Sequence, residues 1–340
     1  MAAGTGRLAD RADAWARAAE GVAARLDAWW TAPDPRRDRV VTILSACGYG
    51  LALSALLVVF LLPDSDGGLG YDAHSYYVAG QNVLHGQALY WPTTIDAYGP
   101  YRYPPLFAQL WAPFTVLPEL AFTWLWRAVC GLSLYYLAGS FRALGLWLLL
   151  PFTITELSSA NVTFPVAAMT LAAFRGDARW LPWAALLKIG PVMAAPFIWL
   201  RRPGRRRELL ASTIVMTVVV GVSVAIDPGA WSGYIASFGW QGPSELHGSG
   251  LLSILPTAET DFALRATIAA AIVAIAVLRD WSPLAYIATA VAVPTLWLNR
   301  LSVLLATPRA TDAPARRPAA AEAADERADS AARSAGPAPA

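Results

Sequence analysis

Lysine is almost missing from this 340-residue chain: of its 26 basic residues only Lys188 is a lysine, and the others are arginine. Charge is scarce altogether, at 15% of residues, where a soluble domain carries about a quarter. Cysteine is limited to Cys47 and Cys130, and histidine to His74, His85 and His247. Both cysteines lie inside apolar segments, which excludes a disulfide framework and reads them as small buried hydrophobes. There is no HExxH pattern and no cysteine–histidine cluster, so no metal site is expected. There is no Walker or GxGxxG pattern either, so no nucleotide cofactor is expected. The net charge of +2 is carried by short arginine blocks between apolar runs. Such blocks suit a membrane surface better than a nucleic-acid groove, and nucleic acid is not an expected partner.

What the chain has instead is apolar length. It is 56% hydrophobic, and the apolar residues come in long runs rather than in helical stripes, which points to a bilayer as solvent. The clearest span runs from Val40 to Leu62, preceded by Arg36, Arg37 and Arg39 and followed by Asp64 and Asp66. The positive-inside rule then puts the N-terminus in the cytoplasm and the next segment outside. A second anchor, "RRPGRRRE" from Arg201 to Glu208, reads as a cytoplasmic loop. Between the anchors lie apolar segments near 105–117, 119–139, 144–155, 160–174 and 181–200, an odd number of crossings, so the two anchors agree. Further crossings are expected at 209–226, 261–278 and 283–298, with a polar, aromatic outer stretch from Asp227 to Gly250. The expected fold is all-α: a polytopic integral membrane protein of about eight to ten spans, a helical bundle with extracytoplasmic loops.

Three parts follow. Residues 1–39 form a cytoplasmic, amphipathic and basic segment, with Leu8, Ala12, Trp15, Ala19 and Val22 at helical spacing. The first apolar run starts too late for a cleaved signal peptide. Residues 40–306 form the multi-span domain, and residues 307–340 an Ala/Pro-rich tail too polar to fold.

Polar residues in unexpected places carry the functional argument. The stretch "YDAHSYYVAGQNVLHGQALYWPTTIDAYGPYRYPPLF", Tyr71 to Phe107, follows the first span yet holds Asp72, His74, His85, Asp96 and seven tyrosines. Lys188, Glu156 and Arg300 sit inside or beside apolar segments, where an ionisable group is expensive and is read as functional by default. Lys188 is equally compatible with a structural pairing, and Glu156, beside Ser158, Ser159 and Asn161, with a connecting turn. Taken together they suggest one polar cavity open to the outer face. Asp72 and His74 would come from the first loop, Glu245 and His247 from the second, and Lys188 and Arg300 from neighbouring helices. A carboxylate among cations stays ionised and can act as a base. Arginine suits phosphate because its fork donates two hydrogen bonds at once.

The segments "YDAHSYYVAGQNVLHGQALYWP" and "YRYPPLFAQLWAPFTVLP" resemble the first extracytoplasmic loop of polyprenol-phosphate-mannose-dependent α-mannosyltransferases. These form glycosyltransferase family 87, which has the integral-membrane C-type glycosyltransferase fold. The family's Asp, Tyr, Gly, Tyr and Tyr-Pro-Pro fall on Asp72, Tyr76, Gly86, Tyr90 and Tyr103-Pro104-Pro105. "SSANVTFPVAAMTLAAF" is similar to its polar-Asn segment at Asn161, and "AALLKIGPV" to its intramembrane Lys-x-x-Pro at Lys188 and Pro191. The resemblance covers Val40 to Leu200 well and the rest loosely. It departs near the end, where "VPTLWLNRLS" stands in place of the family's paired histidines.

The resemblance implies transfer of a sugar, mannose first, from a polyprenyl-phosphate donor to a lipid-linked or cell-envelope glycan acceptor. The reaction would take place at the outer face of the cell membrane, among membrane lipids and with inversion. It implies Asp72 as catalytic base and a substrate-binding set of His74, Tyr76, Arg102, Tyr103, Asn161, Lys188, His247 and Arg300. The alternative is a transporter or flippase of a lipid-linked sugar, which Lys188 and Glu156 fit as well, although no internal repeat is visible.

Overall fold

The computed structural model describes residue 21 and residues 34–61, 70–91, 100–237, 258–292 and 298–311. Among the described residues the chain is all helix, with no strand. The helices are α1 (Pro35–Leu61), α2 (Tyr71–Leu84), α3 (Pro105–Trp111), α4 (Glu119–Ala138), α5 (Phe141–Trp147), α6 (Pro151–Ser159) and α7 (Thr163–Arg175). They continue with α8 (Trp180–Leu187), α9 (Ala194–Arg201), α10 (Arg206–Ile226), α11 (Pro228–Ser237), α12 (Ala258–Arg279) and α13 (Ser282–Val291). Short 3₁₀ pieces occupy Ala112–Val116, Gly190–Met193 and Pro203–Arg205, and a longer one runs from Leu298 to Arg309.

Local chemistry sets the boundaries. α1 begins at Pro35, where a missing N–H costs nothing, and the Asp34 carboxylate accepts from the amides of Arg36 and Arg37 at 2.9 and 3.3 Å. α4 starts after Pro118 and stops at Gly139, whose φ of +77° is the left-handed conformation that ends a helix without strain. Pro151 opens α6 and could not have continued α5.

Among the described residues three stretches are long and apolar enough to cross a membrane: Pro35–Val58, Pro203–Ile226 and Phe262–Arg279, or up to five if each of two bent pairs counts as one span. Only 17–22% of their apolar windows is buried inside the protein. Leu53, Val218, Ile226 and Leu278 are 69%, 59%, 71% and 76% exposed. Large aliphatic side chains turned outward along whole helices are the pattern of a chain solvated by lipid.

Among the described residues these candidate spans are fewer than the eight to ten expected from hydropathy, for identifiable reasons. Segment 105–117 is a seven-residue helix and a 3₁₀ turn. Segment 144–155 straddles α5, a turn and α6. Segment 181–200 is no crossing at all. As a straight helix it would put its ends about 30 Å apart, yet the Ala178 amide donates to Glu208 at 3.2 Å and the Ser212 hydroxyl to the Arg179 carbonyl at 2.6 Å. Helices α8 and α9 therefore form a hairpin that returns to the end it left, turning where Lys188 and Pro191 interrupt it.

That shared end is rich in arginine. Arg205 caps the carbonyls of Ala173 and Phe174 at the close of α7 (3.1 and 2.9 Å), and Arg202 pairs with Asp280 at 2.7 Å after α12. Arg309 donates to the Leu137 carbonyl at 2.8 Å at the close of α4, and Arg175 donates to the Arg309 carbonyl at 3.4 Å. The last 3₁₀ helix thus docks at the same end and runs past Thr307, where composition placed the start of the tail. Glu119 lies at the far end of α4, about 30 Å away, where His74 of α2 meets it. α1 packs against α5 through glycine: a Cβ on Gly48 would meet the Gly145 carbonyl oxygen at 1.8 Å, so the two backbones touch.

Candidate functional site: a polar centre at a broken helix

α6 and α7 meet at 107°, and the break falls on the sequence "SSANVT". Its cause is local. Asn161 Oδ1 accepts from the Thr163 amide at 3.0 Å, a short-range side-chain turn that competes with helix continuation. Ala160 is held in the left-handed region, φ 56° and ψ 45°, a conformation that costs a non-glycine residue about 1 kcal/mol or more.

A break of this kind exposes backbone groups that lipid cannot satisfy. Here the protein satisfies them one by one. From α4, Trp126 Nε1 donates to the Ala160 carbonyl at 2.6 Å, Arg127 Nη2 to the Ser158 carbonyl at 3.2 Å and Cys130 Sγ to the Asn161 carbonyl at 3.3 Å. From α2, the Tyr76 hydroxyl accepts from the Val162 amide at 3.2 Å and donates to the Tyr103 hydroxyl at 3.3 Å. From the turn of the α8–α9 hairpin, Lys188 Nζ donates to Asn161 Oδ1 at 2.8 Å and to Thr163 Oγ1. The single lysine of the chain is thus hydrogen-bonded into the break. Thr163 lies about 18 Å up α7 from Arg175, and Arg127 about 12 Å down α4 from Glu119, so the centre sits in the interior between the two ends.

Around it the aromatic side chains close ranks. Tyr76 meets Tyr103, Phe107 and Trp126 edge-on at 5.3, 5.2 and 5.5 Å. Burial, and then the neighbouring Tyr103 and Asp72, hold the Tyr76 phenol well above the usual tyrosine range, so it stays a neutral donor.

The residues expected from sequence fall as follows. Asp72 lies in the first turn of α2, which starts at Gly70 with φ +104°. Gly70, two residues before it, lies beside Arg127, whose Nη2 bonds the carbonyl of Ser158, two residues after Glu156, and Lys188 bonds Asn161 at the same break. The elements that carry Asp72, Arg127, Glu156 and Lys188, namely α2, α4, α6 and the hairpin, therefore meet at one region. Glu156 is fully buried, at 0% exposure. His74 points to the rim instead, with Nδ1 2.6 Å from Glu119 Oε1 and both side chains a third or more exposed. The stretch expected as a loop from Tyr71 is helical up to Leu84, and its tyrosines are core as much as surface. Tyr103 and Arg102 lie in the segment leading into α3, both half-buried, and the Tyr90 hydroxyl donates to the Tyr103 carbonyl at 2.5 Å. Arg300 lies on the backbone of the last 3₁₀ helix. His247 and Glu245 lie outside the described residues.

Sequence reasoning missed Arg127 and Trp126. Arg127 carried the same signal as Lys188, a lone cation inside the apolar run "LAFTWLWRAVCGL". Trp126 carried none that separates it from an interfacial aromatic. An open groove of about 1020 Å³ lies elsewhere, by Tyr136, Met169, Arg175 and Trp180 at the arginine end, and holds none of the expected residues. Among the described residues no group of three or more His, Cys, Asp or Glu side chains could hold a metal. Comparison with protein-family models, with curated proteins and with solved structures finds no match for this chain.

Proposed function

We propose that the chain is a membrane glycosyltransferase that moves a sugar, mannose first, from a polyprenyl phosphate to a hydroxyl of a lipid-linked or envelope glycan. The observation that carries this reading is the meeting, at a broken helix inside an apolar bundle, of the four elements that bear Asp72, Arg127, Glu156 and Lys188. The order of the motifs from Asp72 through Tyr103-Pro104-Pro105 and Asn161 to Lys188 supports it further. Asp72 takes the proton of the acceptor hydroxyl while that oxygen attacks the anomeric carbon from the face opposite the phosphate. The carbon–oxygen bond to phosphate breaks as the new one forms. Polyprenyl phosphate leaves with the bonding pair, and the configuration inverts. One base suffices because the phosphate is a good leaving group; general base assistance contributes about 10²–10⁴-fold, and cations near the departing phosphate lower the barrier further. The arginine-rich end reads as cytoplasmic, which puts Asp72 toward the outer face.

The test is transfer by purified protein from labelled polyprenyl-phosphate mannose to a lipid-glycan acceptor mixture. Wild type is expected to transfer, and Asp72→Asn to lose at least about 100-fold in rate with an unchanged melting temperature. Equal transfer by both removes Asp72 as the base. A second reading, a transporter of a lipid-linked sugar, is favoured by the helix break beside an intramembrane lysine. It replaces the first if every donor gives silence while sealed vesicles show lipid-linked sugar crossing.

A further inference from the structure

Among the described residues one interior charge, Arg127, makes no ion pair. The Arg127 side chain belongs to a residue only 5% exposed. Its guanidinium carries five N–H donors. Among the described residues it makes one hydrogen bond, from Nη2 to the Ser158 carbonyl at 3.2 Å, and Nε is buried with no partner. One face lies over the Trp124 ring at 4.9 Å. No carboxylate of the described residues forms an ion pair with it. Burying a guanidinium in this way is unfavourable unless an anion fills its fork.

Its surroundings say where that anion would sit. Arg127 stands where α2 begins: a Cβ built on Gly70 would lie 3.4 Å from Nη2. The first turn of α2, which carries Asp72, brings the positive end of its dipole to the same place. On its other side the guanidinium is tied to the end of α6 through Ser158. It therefore joins the two elements that bring Asp72 and Glu156 into the centre. Lys188, by contrast, already spends hydrogen bonds on Asn161 and Thr163.

We propose that Arg127 is an interior phosphate-binding residue, and that the phosphate of a polyprenyl phosphate fills its fork. The choice of phosphate follows from the planar, multiply donating guanidinium, which matches a tetrahedral oxyanion better than a halide or a single carboxylate oxygen. The assignment rests on the transfer reading only for the identity of the lipid; the unfilled fork stands without it.

The experiment measures binding, so its failure is separable from a failure of transfer. The full chain is placed in phosphatidylcholine nanodiscs and titrated with a short polyprenyl phosphate, the matching polyprenyl alcohol and inorganic phosphate. Wild type is expected to prefer the lipid phosphate over the alcohol by about 10–100-fold, the range of a charge-assisted contact. Arg127→Gln is expected to lose that preference. Arg127→Lys is expected to keep only part of it, since a point charge replaces the fork, and this variant decides the matter if the glutamine protein fails to fold. Absence of transfer by the wild-type chain together with intact binding overturns only the transfer reading and leaves the site standing. Competition by inorganic phosphate would show that a free oxyanion suffices; its absence would assign the site to the lipid headgroup, and either supports the site. Equal wild-type affinity for alcohol and phosphate overturns the proposal, and so does an undiminished preference in both Arg127 variants.

Discussion

Two stretches of similar length behave in opposite ways. α10 runs unbroken for 21 residues and turns Ile214, Val215, Val218 and Val222 outward, each more than half exposed. Residues 151–175, equally apolar in outline, turn through 107° and bury Glu156, Asn161, Thr163 and Phe164. Both contain hydroxyl side chains, so composition alone does not separate them. In α10 the hydroxyls of Thr213 and Thr217 bond back to the carbonyls of Leu209 and Thr213 on their own helix, each at 2.8 Å. At the break the polar groups reach across the chain to α2, α4 and the hairpin. The first pattern leaves the helix self-sufficient in lipid. The second makes its stability depend on partners, and it gathers those partners into one place.

Substitutions can break or sharpen that contrast. Asn161→Leu removes the buried oxygen that Lys188 and Thr163 share, and is expected to cost about 1–3 kcal/mol in thermal unfolding. Val218→Ala on α10 is expected to change stability by less than about 0.5 kcal/mol. Comparable losses from the two would erase the distinction. Tyr76→Phe keeps the ring packing but leaves the Val162 amide without its acceptor, with an expected loss of about 1–3 kcal/mol. Ala160→Gly relieves the left-handed backbone while loosening the unfolded chain, so a net effect within about 1 kcal/mol is expected. A large loss there would mean that the Ala160 methyl, and not the backbone turn, matters in the break.

Much of this was legible beforehand, and unevenly. Hydropathy located α1, α10 and α12 within a few residues because those helices meet lipid all along their length. It misread 181–200 as a crossing because a hairpin of two short apolar helices has the same composition as a span. Lys188, Glu156 and Asn161 stood out as polar residues in apolar runs, and they do meet at one centre or act on it. Their partners did not stand out. Trp126 and Tyr76 are aromatic residues in an aromatic-rich chain, and only the path of the backbone reveals that each answers one orphaned group at the break.

The whole arrangement requires two opposed ends, with the α8–α9 hairpin opening on the arginine end and α2 lying at the other. Single cysteines placed by Arg179→Cys, Gly204→Cys and Gln87→Cys, in a chain with Cys47 and Cys130 replaced by serine, report this through a membrane-impermeant thiol reagent. Positions 179 and 204 are expected to react only from one side of sealed vesicles, and position 87 only from the other. Reaction of 179 and 204 from opposite sides would make residues 180–201 a crossing and contradict the hairpin on which the polar centre is built.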